Sequence, residues 1–336
     1  MKTRKECTVE DSGAARLQAA EEGVQQFVKA AYGLSVHWGL YSLNGRGEWV
    51  YFVERIPWDV YRRRLVEFNP TRFNAEEWAD LMFESGQKFL LITSKHHDGF
   101  CLWDTQLTEW KITNTPFKRD VIGELATALH DRGLGLHFYY SLLDWTHPAY
   151  RKDWPAYVAY YQGQLRELLT NYGEIAGVLF DGYWPRNEFE GPDEQVYFPP
   201  RGPWDLAGTY DLIHKLQPKA MVTNNTHVVP QPGEDYQVWE LDFPGENTVG
   251  FNTTEIGARA RATAVWWNLN NGWAYNPRSH EVKSAHVIHK SLAKARRKNS
   301  VFFLNVGPRP CGDIHPEEQQ VLREVGKRIR DYRILG

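Results

Sequence analysis

The hydrophobic positions of this chain fall into short, unbroken apolar runs separated by longer stretches of mixed polarity. One run, residues 175–180, stops at Asp181 and is followed by Gly182 and two aromatic residues. Short runs rich in branched and aromatic residues are typical of strands that are buried on both faces. We therefore predict a parallel strand that carries Asp181 at its carboxyl end.

Seven further runs have the same character, and helical periodicity separates most of them. The predicted strands cover residues 32–39, 89–94, 134–140, 175–181, 220–225, 236–240, 262–267 and 301–307. The predicted helices cover residues 14–30, 57–65, 75–85, 120–132, 155–172, 204–216, 283–298 and 316–331. The helix 75–85 has the clearest ends, because Asn74 and Glu77 form a capping-box pattern before it and Gly86 follows it.

Eight strands that alternate with helices predict an α/β fold of the (β/α)8 barrel type. The length of 336 residues lies within the range of such barrels, and no repeat or linker divides the chain. We therefore predict a single catalytic domain over residues 1–336, in which residues 1–30 form a helical lead-in.

Composition and charge exclude several classes of function. The net charge is −3 without a Lys/Arg tract, which argues against nucleic acid as a partner. Cys7, Cys101 and Cys311 lie far apart in the chain, so neither a disulfide framework nor a zinc ribbon is predicted. Because neither an apolar leader nor a run of 18 apolar residues is visible, we expect a cytoplasmic protein that does not bind membranes.

Tryptophan is abundant, with 14 residues in the chain. Most of these residues must serve the core, but a tryptophan among polar residues also offers a flat, amphipathic platform on which a sugar ring can stack. The candidates for this second task stand at predicted strand ends, and they are Trp38, Trp49, Trp103, Trp145, Trp184 and Trp239.

Polar side chains stand at the carboxyl ends of most predicted strands. They are His37, His96, His97, Tyr140, Asp181, Asn224, Asn225, Glu240 and Asn305. Each of them alone has a structural explanation, such as a turn or a hydrogen-bonded core histidine. Structural needs seldom place so many polar groups at one mouth of a barrel, so together they predict a functional site there.

A metal centre is one interpretation of these residues, since the histidines and acids among them are possible ligands: His37, His96, His97, Asp98 and Asp181. Neighbouring residues on an extended strand point to opposite faces, so His96 and His97 converge only where the strand is broken. No HxH or HxxxH spacing is present. The pattern therefore favours a site without a metal.

Glycoside hydrolysis fits two carboxylates among aromatic and neutral hydrogen-bonding groups better. One carboxyl group must donate a proton to the leaving oxygen, and the other must be ionised and face the anomeric carbon. We expect burial beside Trp239 to raise the pKa of Glu240, and Gly182 to leave room for a ring to approach Asp181. The carboxyl separation stays open between about 5–5.5 Å for a retaining and about 6.5–9.5 Å for an inverting enzyme.

Six segments between residues 32 and 330 occur in the order and spacing of one known family. They are 33–39 (GLSVHWG), 47–49 (GEW), 95–104 (KHHDGFCLWD), 139–145 (YYSLLDW), 179–182 (LFDG) and 304–308 (LNVGP). On these segments the chain resembles the α-L-fucosidases of glycoside hydrolase family 29, and the KHHDGF block is the most specific match.

The resemblance implies a retaining exo-hydrolase of terminal α-L-fucosides that works by double displacement without a cofactor. By position, Asp181 is similar to the family's nucleophile. The residues that resemble its sugar-binding set are His37, Glu48, Trp49, His96, His97, Trp103 and Tyr140. Glu240 is assigned as the acid/base, because segment 235–240 resembles an Asp-aromatic-x-x-x-Glu stretch that holds it in some members. Glu246 and Glu234 are the alternatives.

The chain departs from the family pattern at two points. Thr226 stands where some members carry an arginine that enters the pocket, so the preferred linkage is expected to differ. The C-terminal β-sandwich common in the family is not expected here, and we predict a homo-oligomer. Two alternative functions stay open: a retaining hydrolase or transglycosidase for a related sugar such as an α-L-galactoside, and a fucose-binding protein without activity.

Overall fold

Eight strands and eleven α-helices make up the described part of the chain. The structure, a computed structural model, describes residues 9–183 and 202–332. The strands are β1 (Tyr32–Val36), β2 (Phe89–Lys95), β3 (Gly135–Ser141), β4 (Gly177–Asp181), β5 (Met221–Asn224), β6 (Tyr236–Glu240), β7 (Ala262–Asn268) and β8 (Ser300–Val306). The helices are α1 (Val9–Ala30), α2 (Val50–Val53), α3 (Trp58–Tyr61), α4 (Arg64–Glu67), α5 (Ala75–Ser85), α6 (Val121–His130), α7 (Pro148–Lys152), α8 (Trp154–Asn171), α9 (Leu206–Leu216), α10 (Ala285–Arg297) and α11 (Pro316–Tyr332).

These elements agree closely with the predicted ones. The two short helices α3 and α4 replace the single helix predicted at 57–65, and the short helices α2 and α7 were not predicted. Helix α5 begins at the predicted cap, where the Asn74 side chain accepts from the N–H groups of Glu76 and Glu77. It ends at Gly86, whose φ of 80° lies in the left-handed region that glycine tolerates.

The strands form one sheet in the order β5-β4-β3-β2-β1-β8-β7-β6, which curves into a nearly closed barrel. All paired neighbours run parallel. Parallel order with helices packed outside is the (β/α)8 architecture, so the predicted fold class is confirmed.

Between β5 and β6 the barrel is held together by a few hydrogen bonds around Asp235 instead of a strand ladder. The N–H of Asp235 donates to the carbonyl of Val222 at 2.7 Å, and the Asp235 carboxylate accepts from the N–H of Val222 at 2.9 Å. The Thr223 hydroxyl donates to the carbonyl of Tyr236 at 2.6 Å. Asp235 therefore satisfies backbone groups that a further strand neighbour would otherwise pair.

The interior of the barrel divides into an apolar base and a polar mouth. Alternate residues of each strand point inward, and those near the strand starts are mostly large and apolar. Helix α1 covers the base, where the Phe27 ring packs 6.0 Å from Phe89, 4.7 Å from Tyr236 and 6.0 Å from Phe303. Because large apolar side chains fill the interior near the strand starts, the carboxyl ends of the strands are left as the place for a polar site.

Parts of the prediction concern residues outside the described ranges. Trp184 lies outside them, as does the beginning of the predicted lead-in, residues 1–8. A single domain over residues 1–336 therefore stays a prediction. In the described ranges, no helix combines the length and the apolar character needed to cross a membrane.

Candidate active site

A cavity of about 180 Å³ lies at the mouth of the barrel. Its lining residues are His37, Glu48, Trp49, His96, Asp181, His227, Glu240, Phe251, Trp266 and Trp273. Sites for drug-sized ligands measure about 300–1,000 Å³, so this cavity suits a single monosaccharide. Both predicted catalytic carboxylates and four of the seven predicted sugar-binding residues meet in it.

Asn225 holds the two carboxylates close together. Its side-chain amide donates to Glu240 Oε2 at 2.7 Å and lies 3.5 Å from Asp181 Oδ1. Both oxygens lie around one nitrogen, so they are at most about 6.2 Å apart, the sum of the two distances. This limit lies below the about 6.5–9.5 Å of inverting glycosidases and includes the about 5–5.5 Å of retaining ones.

Asp181 ends β4 and is almost fully buried. The Tyr139 hydroxyl donates to its Oδ2 at 2.7 Å, and the N–H of Gly182 donates to the same carboxylate. Burial raises the pKa of Asp181 to about 6, while the bonds from Tyr139, Gly182 and Asn225 act against the rise. Asp181 is therefore ionised at neutral pH but poorly hydrated, as a carboxylate nucleophile requires.

The residues beside the two carboxylates serve the packing of the barrel. Trp239 points away from the cavity, and its indole N–H donates to the carbonyl of Thr253 at 2.9 Å, so its predicted effect on the pKa of Glu240 stays a prediction. Gly182 has a φ of 80°, and a Cβ there would lie 2.6 Å from Leu143 Cβ. This glycine is needed for the turn after β4 and for its packing against Leu143, and the predicted room for a sugar ring stays a prediction.

Glu48, in the segment between β1 and α2, brings a third carboxyl group into the cavity. Its side chain accepts from the backbone N–H of Ala274 and from its own N–H. Burial raises the pKa of Glu48 to about 7, and the negative charge of Asp181 adds to the rise. Glu48 is thus partly protonated at neutral pH, so it can donate to a sugar hydroxyl as well as accept from one.

Three histidines lie around Asp181 in their neutral form. Burial lowers the pKa of His37 to about 4, and it lowers those of His96 and His97 well below the ordinary value. The His96 ring stacks on Tyr139, with ring centroids 5.4 Å apart, and His97 Nε2 lies 3.7 Å from Asp181 Oδ2. A neutral imidazole can donate from one nitrogen and accept at the other, which suits sugar hydroxyls.

The KHHDGF block at 95–100 brings two of these histidines together through an irregularity at the end of β2. The register of β2 against β3 shifts there, and the ring centroids of His96 and His97 lie 4.1 Å apart. Behind them, the fully buried Lys95 pairs with Asp144 at 3.3 Å. The lysine and the histidines of the block thus have different tasks, since Lys95 anchors the loops and the histidines face the site.

A metal centre is not supported by the geometry of the mouth. Asp98, one of the possible ligands, turns away and accepts from the Tyr61 hydroxyl at 2.6 Å and the N–H of Phe100 at 3.2 Å. In residues 9–183 and 202–332, one group of three potential ligands has its atoms within 4.8 Å of one another, and none of them lines the cavity: His280, His315 and Glu317.

Two residues predicted to bind the sugar lie elsewhere. Tyr140 faces away from the barrel interior, and its hydroxyl donates to Gln164 at 2.7 Å. Trp103 is fully buried in the outer core, and its indole N–H donates to Glu167 at 3.1 Å. Tyr139, one residue earlier on β3, reaches the site instead, because successive residues of a strand face opposite sides. The prediction placed the tyrosine on the wrong face.

Four residues of the cavity were not assigned beforehand. They are His227, Phe251, Trp266 and Trp273. Alternation along β7 places Trp266 on the inner face, and this signal was present in the sequence. Phe251 and Trp273 come from loops after β6 and β7, where no periodic pattern reports which way a side chain points. The Phe251 ring packs on His227, with ring centroids 4.6 Å apart.

The two alternative acid/base residues do not line the cavity. Glu246 pairs with Lys294 at 2.8 Å at the protein surface. Glu234 accepts from the Tyr210 hydroxyl at 3.1 Å, and burial raises its pKa to about 8. The geometry therefore favours Glu240 over both.

The chain matches one protein family over almost its whole length. Residues 8–333 match the model of the family described as Alpha-L-fucosidase. The chain is also similar to a putative alpha-L-fucosidase 1 of Oryza sativa subsp. japonica, with 31% identity over 283 residues, 80% of this chain and 52% of that protein. It spans about half the length of the first curated relatives it matches.

Solved structures give the same family. An alpha-L-fucosidase isoenzyme 1 from Paenibacillus thiaminolyticus has a TM-score of 0.80 and 32% identity, with 93% of this chain and 76% of that chain covered. An alpha-L-fucosidase from Bacteroides thetaiotaomicron has a TM-score of 0.77 and 26% identity, with 93% and 75% covered. That structure is a covalent intermediate, trapped with 2-fluoro-fucosyl fluoride in a mutant enzyme.

Proposed function

Since the chain belongs to the alpha-L-fucosidase family, we propose that it is a retaining exo-α-L-fucosidase with Asp181 as nucleophile and Glu240 as acid/base. The observation that supports this most is the amide of Asn225 between the two carboxylates, which keeps Asp181 Oδ1 and Glu240 Oε2 within about 6.2 Å of each other. That distance suits direct attack by one carboxylate, whereas an inverting enzyme needs room for a water between carboxylate and sugar.

The reaction proceeds in two displacements. In the first, Asp181 forms a bond to the anomeric carbon while Glu240 gives its proton to the leaving oxygen. In the second, Glu240 takes a proton from water, which attacks the same carbon and releases Asp181. The trapped covalent intermediate of the Bacteroides relative supports this order of steps for the family.

The lining of the cavity fits one deoxy sugar. Neutral His37 and His96 and the partly protonated Glu48 offer donors and acceptors to ring hydroxyls. The aromatic faces of Trp266 and Trp273 offer an apolar contact for the 6-methyl group. A cavity of about 180 Å³ has no room for a chain of sugars on both sides, which supports an exo mode of action.

Chemical rescue tests the proposed nucleophile. In Asp181→Ala, kcat on an aryl α-L-fucoside should fall by at least about 1,000-fold while circular dichroism stays unchanged. Azide should restore turnover and give fucosyl azide of inverted configuration. Glu246→Gln is the matched control, since it changes an acid paired with Lys294 at the surface, and it should keep its activity.

Near wild-type activity of Asp181→Ala would overturn the assignment. A panel of aryl glycosides then tests the substrate, and faster turnover of an α-L-galactoside than of the fucoside would replace fucose as the proposed sugar. Fucose binding without turnover by the wild-type protein would replace the enzyme with a binding protein.

A further inference from the structure

A continuous chain of hydrogen bonds runs behind His37. The Trp266 indole N–H donates to Ser35 Oγ at 2.9 Å, and the Ser35 hydroxyl donates to Asn305 Oδ1 at 3.2 Å. His37 Nδ1 lies 2.8 Å from the same Asn305 oxygen. The amide nitrogen of Asn305 donates to the carbonyl of Trp273 at 2.7 Å. The residues come from β1, β7 and β8 and from the loop after β7.

The two ends of this chain fix the direction of every bond in it. An indole N–H can only donate, and a backbone carbonyl can only accept. Asn305 must therefore turn its nitrogen to Trp273 and its oxygen to Ser35 and His37. An amide oxygen cannot donate, so the proton in the bond to His37 belongs to the imidazole Nδ1. Because burial keeps this imidazole neutral, its Nε2 carries no proton.

His97 is held in the same way by a shorter chain. Its Nδ1 lies 2.6 Å from Ser141 Oγ, and the Ser141 hydroxyl donates to the carbonyl of Leu143 at 2.6 Å. A hydroxyl has one proton, so the bond to His97 must be donated by Nδ1. His96 differs, because its buried Nδ1 has no hydrogen-bond partner in the described ranges.

We propose that Asn305 and Ser141 are positioning residues that keep the protons of His37 and His97 on Nδ1, so that Nε2 of His37 faces the cavity as an acceptor. His37 then accepts from a ligand and does not donate to it. Applied to fucose, this inference rests on the proposed function. It requires the sugar hydroxyl that binds His37 to donate its proton to Nε2. A fluorine in its place can only accept, so the bond is lost.

Nitrogen NMR of the histidine rings tests the tautomers directly. Wild-type protein with 15N-labelled histidine should show the Nδ1-protonated pattern for His37 and His97 in long-range correlation spectra, with assignments from His37→Gln and His97→Gln. In Asn305→Ala the His37 pattern should be lost. In Asn305→Asp it should be kept, because an acceptor remains. Ser35→Ala is the matched control and should also keep it.

An Nε2-protonated His37 in the wild-type protein would overturn the inference, as would an unchanged pattern in a folded Asn305→Ala. If Asn305→Ala does not fold, the wild-type spectrum and Ser141→Ala decide, since Ser141→Ala should change the His97 pattern alone. The result is independent of turnover. The expected tautomers in a protein that hydrolyses no fucoside would overturn the proposed function, whereas the opposite tautomers in an active fucosidase would overturn only this inference.

Ligand binding gives the functional readout. The Kd of fucose should be about tenfold lower than that of the monofluoro analogue altered at the position that docks on His37, since one neutral hydrogen bond is lost. In Asn305→Ala the preference for the hydroxyl should shrink, because the imidazole can then carry its proton on Nε2. Equal binding of fucose and all its monofluoro analogues by the wild-type protein would contradict the acceptor role.

Discussion

The two ends of the barrel contain similar residues in different surroundings. At the mouth, His37 is buried and its Nδ1 is bonded to Asn305. At the base, His137 is also buried, packs against Phe27 and Phe89, and its Nδ1 has no hydrogen-bond partner in the described ranges. Burial lowers the pKa of His37 to about 4 and that of His137 to about 3. Burial of a titratable group therefore does not distinguish a site from a core.

The volume of a cavity does not distinguish a site from a core either. The one at the base measures about 580 Å³ and the one at the mouth about 180 Å³. The base cavity is bordered by α1 and by exposed residues such as Lys29 and Lys88. The mouth is smaller, but carboxylates, imidazoles and indole rings converge there, as catalysis on a small sugar requires.

Removal of the acid/base should produce the largest difference in activity between variants at the mouth and variants at the base. Glu240→Ala loses the proton donor for the leaving oxygen, so kcat on a fucoside with a poor leaving group should fall by about 100- to 10,000-fold. A substrate with a good leaving group needs less protonation and should be affected less. Steady-state kinetics with both substrates measures the effect, and equal losses on both would contradict the role of Glu240.

The pH dependence of the mouth depends on the hydroxyl of Tyr139, which donates to Asp181. Asp181 must be ionised to attack, and its pKa is about 6, so kcat/KM should fall as the pH drops below about 6. The bond from Tyr139 lowers this pKa. Tyr139→Phe should therefore move the acid limb of the kcat/KM profile upward by about one pH unit. An acid limb that stays in place would mean that another group controls it.

Function at the mouth should come at the expense of stability. The pKa of Asp181 is raised from 3.8 to about 6 on folding, so the folded state binds more protons between these values and stability falls as the pH rises through this range. Asp181→Asn should raise the free energy of unfolding by about 1–3 kcal/mol at pH 7. Denaturant unfolding at pH 7 and pH 4 measures it. A gain of the same size at both would point to a cause other than the charge.

The base should show the smallest effects. His137→Phe replaces an imidazole whose Nδ1 has no described hydrogen-bond partner with an apolar ring of similar size, so stability should rise by about 1 kcal/mol. Activity on an aryl fucoside should stay within about twofold of the wild type. Thermal unfolding and steady-state kinetics check both values. A large loss of activity would mean that the two ends of the barrel are coupled.

Much of this arrangement could be predicted from local patterns. The cap at Asn74 and the stop at Gly86 predicted α5, because caps are short-range and chemically specific. Apolar runs ending in polar residues predicted the mouth, with His37 and Asp181 in it. These signals need only the order of residues along one element.

The errors arose where a side chain's direction depends on distant contacts. Tyr139 and Tyr140 are both plausible ligands in the sequence, and only the register of β3 decides which one faces inward. Trp273 and Phe251 come from loops without periodicity. The base could not be predicted either, since α1 packs its Phe27 against strands that lie far away along the chain. The same is true of Asp235, whose role depends on the gap between β5 and β6.

Covalent trapping is the most direct test of chemistry at the mouth. The wild-type protein should be inactivated by a 2-fluoro-fucosyl fluoride, and mass spectrometry of its peptides should find one fluorofucosyl group on Asp181. The label should be absent from Asp181→Asn. A label on Glu48 or Glu240, or full turnover of fucosides by a protein that never accumulates a covalent adduct, would contradict double displacement through Asp181.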